Sequence, residues 1–468
     1  MKRPIPLLCA LLLLSACGGD DRSTRGGDPP PPIILIALDT LRADHLPTYG
    51  YARATGPALD RLAADSIVFT NAASQASQTL ISFKSLFSGA HPLRLLESQG
   101  LEPETLARVA PEDATAVLTK AFRAVRPRDL LDALGRRGLP RVAFADGGWV
   151  TRSSGFHEGF DRFDSRREGL EGRLPRVRSF LAAAGDRPFF LFVHAYDVHC
   201  PYATREPYQS AWHDEHAGHE ILMNECFKRM RDEREIRDED IPVLTDHYDG
   251  GIASADEWLG GFLSEIRETG LYDRALIVFL SDHGEALGER RVGGELMIGH
   301  GGLHPEQLHV PLFFKLPASA GVAPRRIDAY VELVDVMPTL IDFVGGEVPE
   351  GIDGRSLLPL IRGEAETHRE SLTAQLTYEA LPTRETRLGA ASSWIPGRRF
   401  VLRDEIAGSE ATYDLVVDPL GARPILSTFE GLAARSPDGI EETRRSAGET
   451  LEIPDDERER LRALGYLE

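Results

Sequence analysis

Two stretches far apart in the chain have the same form and leave little freedom in how it folds. Leu276–Glu285 reads LIVFLSDHGE and Ile33–Asp44 reads IILIALDTLRAD. Each opens with an apolar run and then meets a carboxylate, Asp282 in one and Asp39 in the other. A short apolar run bounded by Ser, Asp and Gly predicts a strand buried on both faces, as in a parallel sheet. In open α/β sheets ligands sit in the crevice beyond the carboxyl ends of the strands, which is where Asp39, Asp282 and the adjoining His283 fall. Taken singly, Asp282 and His283 also read as the start and cap of a turn. Two strands that each deliver an oxygen ligand predict one shared metal site, because carboxylate oxygen and imidazole suit a hard or borderline cation.

Residues 1–17 carry Lys2 and Arg3, an apolar core and then small residues, the pattern of a secretory signal peptide too short to span a bilayer. Leu14-Ser15-Ala16-Cys17 resembles a bacterial lipobox, which implies cleavage before Cys17 and a lipid on its sulfur; cleavage near Ala16 without lipid is the alternative. Residues 18–32, ending in DPPPP, form a spacer that is stiff where proline runs. The expectation is an exported protein, soluble in body and held at the bacterial cell envelope only by its N-terminal anchor. The formal charge of −20, from 53 basic and 73 acidic residues, argues against nucleic acid and against an anionic bilayer surface as partners. A site for an anionic ester must then be made positive locally. Four cysteines are present; beyond Cys9 and Cys17 only Cys200 and Cys226 remain, and their pairing is open.

Further strands are predicted at Ser66–Thr70, Val142–Phe144, within Pro188–Tyr202, and at VPLFFKLP after His309. Ser77–Pro92 begins polar and then spaces Leu80, Phe83, Leu86 and Phe87 as a helix does, so Thr79 falls at a helix N-terminus. Backbone N–H groups there favour an anion, and the Thr79 hydroxyl is either a cap or a nucleophile. Glu112–Val125 reads as a solvated helix ended by Pro127, and Arg128–Leu134 as a short amphipathic one stopped by Gly135. Asp246–Phe262 reads as a packing helix whose Asp249 and Asp256 read first as surface carboxylates and second as groups facing the site, and Val334–Val344 as another helix. Glu206–Asp240 reads as a charged helical insertion, and Glu285–Ile298 as a Gly- and charge-rich loop. The fold class is α/β, a large mixed and mostly parallel sheet sandwiched by helices. A catalytic domain over residues 33–345 precedes a smaller α+β subdomain over 346–468, closed by a helix at Arg458–Leu464.

LDTLRADHL, TLISFKSLFSG, FVHAYDVHCPY, YDGGIASADEWLG, LSDHGEALGE, GHGGLHPEQLHVPLF and VELVDVMPTLIDFVGG occur in the order seen in sulfatases. On these motifs, with TYDLVVDPL at Thr412–Leu420 and the ending LRALGYLE, the chain is identified as resembling the sulfatase family of the alkaline phosphatase superfamily from Ile33 onward. The resemblance implies an alkaline-phosphatase-like fold and a metal-dependent hydrolase of sulfate esters. It also marks departures. Where sulfatases carry C/S-x-P-x-R, this chain has Thr79, Ile81 and Phe83. A threonine cannot become formylglycine, because its β-carbon bears a methyl group. The related phosphoglycerol and phosphoethanolamine transferases use Thr as direct nucleophile and hold one metal with an acidic residue, the Thr, an Asp and a His. Asp39, Thr79, Asp282 and His283 resemble that set. Asp39-Thr40 stands where sulfatases often have Asp-Asp, and His283 where they often have Asn. Both changes favour zinc or manganese over calcium. The resemblance makes His199 a contact to the anionic group of a sulfate or phosphate ester, and His300 the donor to a leaving group or oxyanion. The Lys and His that many sulfatases place before the Gly-Phe-Asp turn are missing, with Gly147-Gly148-Trp149 instead. His194 reads as a core histidine, Asp197 as orienting a loop, and His309 as structural. Two other readings stay open: a Thr-nucleophile phosphodiesterase or phosphotransferase, and a non-catalytic binding protein.

Overall fold

A computed structural model describes residues 29–102, 105, 109, 111–126, 128–200, 202, 205–212, 237–292, 295–375, 378–380, 385–387, 390–395, 398–404, 409–414 and 424–427. The lipobox, Cys226 with most of the charged insertion, and the expected closing helix lie outside these residues. Ten strands of the main body come in chain order as β1 (Ile33–Leu38), β2 (Ile67–Ala73), β3 (Arg141–Phe144), β4 (Arg162–Asp164), β5 (Phe190–Ala195), β6 (Leu276–Leu280), β7 (Ala286–Val292), β8 (Glu295–Gly299), β9 (Leu312–Lys315) and β10 (Arg325–Glu332). Eight of them form one sheet in the order β10-β2-β9-β6-β1-β5-β3-β4. Every pairing in it is parallel except those of β9, which runs against both β2 and β6.

The central strand shows why the sheet needs cover on both sides. Ile33, Leu35 and Ala37 enter one apolar cluster with Phe83, Phe87 and Phe192, whereas Ile34, Ile36 and Leu38 enter another with Leu59, Tyr248 and Leu259. Side chains alternate along a strand, so an unbroken apolar run is the requirement of two buried faces. Helix Thr79–Ser88 lies on the first face. Helices Pro57–Ala64 and Ile241–Glu268 lie on the second. Helix Pro111–Ala124, expected to be solvated, buries Val117, Ala121 and Phe122 in the first core. Its charges mask an apolar stripe that one face of a helix suffices to carry.

Asp249 and Asp256 are not surface carboxylates. Asp249 is fully buried and accepts from the Tyr51 hydroxyl at 2.6 Å and from Arg53 at 2.8 Å. Asp256 accepts the Ala58 and Leu59 backbone N–H groups, both at 2.8 Å, and so caps helix Pro57–Ala64 from outside that helix. The stretch expected as a loop after Glu285 is instead the β7–β8 hairpin. Its Leu287, Leu296 and Ile298 are buried, and its Arg290 pairs with buried Glu306 at 2.7 Å, so charge here signals an internal ion pair.

Five later strands, β11 (Leu372–Gln375), β14 (Ala390–Ile395), β15 (Arg399–Asp404), β16 (Ser409–Asp414) and β17 (Pro424–Ser427), build a separate antiparallel sheet, with a β12–β13 hairpin (Tyr378–Ala380, Glu385–Arg387) beside it. Trp394 and Phe400 of this sheet pack on His309 and His304 of the main body, with ring centroids 5.4 and 5.6 Å apart. The main core itself continues through Leu357 to Ile361. Among the described residues no helix is long and apolar enough to cross a membrane.

One side chain ties the turn after β1 to its surroundings. The buried Tyr248 hydroxyl donates to the Thr40 carbonyl at 2.7 Å and accepts the Arg42 N–H at 2.9 Å. Thr40 itself has φ +60, a left-handed backbone that a β-branched residue holds only under constraint. Replacing Tyr248 by Phe strands both groups, and is expected to lower the unfolding free energy by about 1–3 kcal/mol. A shift of the urea midpoint with unchanged native helical content checks this.

Candidate active site and metal centre

Parallel strands point their carboxyl ends the same way, so the residues just past β1, β2, β3, β5 and β6 gather at one edge. In register, Leu38 of β1 pairs with Ala195 of β5, and Ala37 pairs with Leu280 of β6. Asp39 and Tyr196 follow these positions directly, and Asp282 and His283 come one residue later, after Ser281. Helix Thr79–Ser88 enters from beyond β2 with Gln78 as N-cap and no side-chain cap, which leaves the Thr79 hydroxyl free of a capping duty.

Asp39, Thr79, Asp282 and His283 are all buried, at 0 to 1 % exposure. Thr79 Oγ1 lies 3.4 Å from His283 Nε2. The same nitrogen is 3.4 Å from Asp282 Oδ2 and 3.8 Å from Asp39 Oδ1. One ligand atom from each of Asp39, Asp282 and His283 falls within 4.8 Å of the others. Asp39 Oδ1 and Asp282 Oδ2 are buried without a hydrogen-bond partner. Buried polar oxygens are rarely left so, and two facing each other beside an imidazole fit a cation.

The hydrogen bonds around these atoms set which lone pairs are free. His283 Nδ1 donates to the Gly284 carbonyl at 2.9 Å, so Nε2 carries the lone pair. Burial, then the neighbouring His300, hold His283 well below the ordinary histidine value, hence neutral. Gly284 is required because a Cβ there would meet the Glu306 carbonyl oxygen at 2.2 Å. Ser82 donates to the Asp282 carbonyl at 2.7 Å and fixes that turn to the helix bearing Thr79. His194 was expected as a core histidine. It is buried, but it also serves the site: its Nδ1 accepts the Asp146 N–H at 3.5 Å, and its Nε2 donates to Asp39 Oδ2 at 3.1 Å. Burial and then Arg173 depress it to about 3, so it orients Asp39 as a neutral donor. Phe83, standing where the resemblance expects Arg, packs edge-on against His194 at 5.1 Å.

His199 and His300 join this group. The His300 ring is 4.6 Å from His283 and 5.1 Å from His199, centroid to centroid. Burial works against a charge on His300, yet the Glu285 carboxylate, with its Oε1 3.3 Å from Nδ1, and then Asp39 raise it above its ordinary value. His199 is depressed to about 4 by burial and by His300, and its Nδ1 donates to the Cys200 carbonyl at 2.6 Å. Cys200 is disulfide-bonded. Burial pushes the Asp39 and Asp282 carboxyls above the usual carboxylate range, and the Asp39 charge helps to carry Asp282 well above it.

Sequence reading missed Glu285, Tyr196 and His194 as members of the site. Glu285 is fully buried behind His300, and Tyr196 turns its hydroxyl towards Thr79. The carboxyl-end rule, applied to β5 as it was to β1 and β6, points to the latter two. Asp197 accepts the Leu170 N–H at 3.0 Å and starts helix Gly169–Ala184, and His309 Nε2 donates to the Thr70 carbonyl at 2.9 Å. Both roles are structural. His157 is half-buried.

Comparison with known proteins bears on the family and the fold. The model of the sulfatase family matches residues 31–346. A multifunctional alkaline phosphatase superfamily protein, PehA of Trinickia caryophylli, is 30 % identical over 232 residues, 44 % of this chain and 43 % of that protein. An arylsulfatase of Clostridium perfringens is 27 % identical over 206 residues, 41 % of each chain. The matched segment thus spans less than half the length of these relatives. The crystal structure of a phosphonate monoester hydrolase of Agrobacterium radiobacter superposes with a TM-score of 0.61 at 20 % identity, covering 84 % of this chain and 91 % of that one.

A carboxyl raised in the folded state and ordinary in the unfolded chain favours unfolding more as the pH rises. Stripped of divalent ions, the protein should therefore melt below its Asp39→Asn/Asp282→Asn variant at pH 8, with the gap closing by pH 5. Adding zinc or manganese should reverse the order, raising the melting temperature of the parent alone. Calorimetric scans across that range read both effects; a parent indifferent to metal would remove the site.

Proposed function

The chain belongs to the sulfatase family, and on that premise we propose that it hydrolyses anionic esters by transferring their sulfuryl or phosphoryl group onto Thr79. One observation carries this reading: a hydroxyl at the head of a buried helix, 3.4 Å from a neutral imidazole nitrogen and facing two carboxylates with unpartnered oxygens. Asp39, Thr79, Asp282 and His283 would hold one divalent cation, zinc or manganese by the donor set. Such an ion supplies Lewis acidity, neutralising the ester oxygens and lowering the pKa of a nearby hydroxyl.

The residues themselves account for the proton movements. The Thr79 oxygen forms a bond to sulfur or phosphorus as the bond to the departing alcohol oxygen breaks. Asp39, hydrogen-bonded to the Thr79 hydroxyl, takes its proton. His300, its hold on a proton raised by Glu285, gives that proton to the alcohol oxygen. Water then attacks the same central atom and gives a proton to His300, and the threonine oxygen leaves with the proton that Asp39 had taken. His199 stays neutral, its Nδ1 proton held by the Cys200 carbonyl, and packs against the His300 ring at 5.1 Å.

The sulfate-ester reading follows the family. A phosphate-ester reading has its own support in Thr79. Oxidation of a threonine gives a ketone, not an aldehyde, so a group carried on it must be released by a second attack at the central atom. A binding role without turnover has its support in Ile81 and Phe83. The disulfide at Cys200 supports an exported protein, and we propose the Cys17 anchor with it; intact-mass analysis of the membrane fraction tests that.

Assays with aryl sulfate, aryl phosphate and phosphodiester substrates separate the readings. Thr79→Ala is expected to lower kcat on the accepted ester by about 10³-fold or more while metal content is kept. His300→Gln should cost about 10²–10⁴-fold, more for esters of poor leaving groups. Metal retained with no turnover on any ester would leave the binding role.

A further inference from the structure

Tyr196 has no place in the chemistry so far, yet it stands inside the site. It is the first residue past β5, beside Asp39, which is the first past β1. Its hydroxyl faces the Thr79 hydroxyl and accepts the Trp149 backbone N–H at 3.2 Å. The ring is held edge-on by His194 at 4.8 Å and by His199 at 5.0 Å. A phenol with one lone pair occupied in this way keeps its single proton for one further partner.

The backbone is shaped around this ring. Gly148 has φ +57, and a Cβ there would lie 2.5 Å from the Tyr196 hydroxyl oxygen and 2.6 Å from two ring carbons. Gly148 is itself exposed, so the glycine answers to Tyr196 and to backbone conformation, not to core packing. Nearby polar groups are already engaged: His194 with Asp39, His300 with Glu285, and His199 with the Cys200 carbonyl.

We propose that Tyr196 is a catalytic hydrogen-bond donor, directed by the Trp149 N–H onto the non-bridging oxygens of the group being transferred to Thr79. The inference rests on Thr79 as acceptor of that group. As the Thr79 oxygen bonds to sulfur or phosphorus it gives up its place as hydrogen-bond acceptor, and the oxygens of the transferred group come within reach of the same hydroxyl. A neutral donor aimed at developing charge in a water-poor site acts as an oxyanion contact does.

Tyr196→Phe keeps the ring and removes only the hydroxyl. Orthovanadate, which adopts the shape of a group in transfer, serves as a probe that needs no turnover. Calorimetry on the metal-loaded parent and on Tyr196→Phe is expected to show vanadate affinity at least tenfold weaker in the variant. On the accepted ester kcat/KM should fall about 10²-fold, by the same factor for good and poor leaving groups, unlike His300→Gln. Gly148→Ala should weaken vanadate binding likewise, and adding it to Tyr196→Phe should cost no more than Tyr196→Phe alone. Vanadate affinity within threefold of the parent in Tyr196→Phe, or none in the parent, overturns the proposal. Vanadate bound through Tyr196 by a parent that hydrolyses no ester would uphold the contact and sink the hydrolytic reading instead, as would turnover retained in Thr79→Ala.

Discussion

Two buried carboxylates, Asp39 and Asp282, place oxygens within 4.8 Å of each other and of the His283 ring, and one oxygen on each has no hydrogen-bond partner. At that separation and an effective dielectric of about 20, two like charges repel by roughly 3–4 kcal/mol, and burying each charge costs several kcal/mol more. A fold keeps such a pair together only if something positive offsets it. The rest of the edge makes sense around that demand. His194 holds one Asp39 oxygen, Ser82 holds the Asp282 turn, and Tyr248 holds the strained Thr40 turn between them.

The histidines divide their work by what faces them. His283 and His194 are neutral for the same reason, burial, but in opposite tautomers. The Gly284 carbonyl takes the Nδ1 proton of one, and the Asp146 N–H takes the Nδ1 lone pair of the other. One therefore offers a lone pair to the centre and the other a proton to Asp39. His300 holds a proton more readily than an ordinary histidine because the Glu285 carboxylate lies behind it. A positive group is thus built inside a chain of net charge −20, which is what an anionic ester requires of it.

Much of this was legible before any coordinates. The apolar runs at Ile33–Leu38 and Leu276–Leu280 predicted strands buried on both faces, because only cover on both sides tolerates unbroken apolar sequence. The helix beginning at Thr79 followed from the spacing of Leu80, Phe83, Leu86 and Phe87. Where charge was read as solvent exposure, the reading failed. Asp249, Asp256 and Arg290 are buried with partners distant in sequence, and no local pattern marks a residue whose partner lies far along the chain. The β7–β8 hairpin was missed because its charges run together at Glu289–Arg291 and because Gly288, Gly293 and Gly294 interrupt any alternation.

By itself, the sequence determined which strands are central, that their carboxyl ends carry metal-binding side chains, and that Thr79 opens a helix. These follow from periodicity and residue chemistry, which act over a few positions. Only the tertiary structure decided that Asp39, Thr79, Asp282 and His283 meet, that Glu285 stands behind His300, and that Gly148 makes room for Tyr196 beside Thr79. Each of these depends on the pairing of strands distant in the chain, and register is settled by the packing of whole faces, which no single stretch contains.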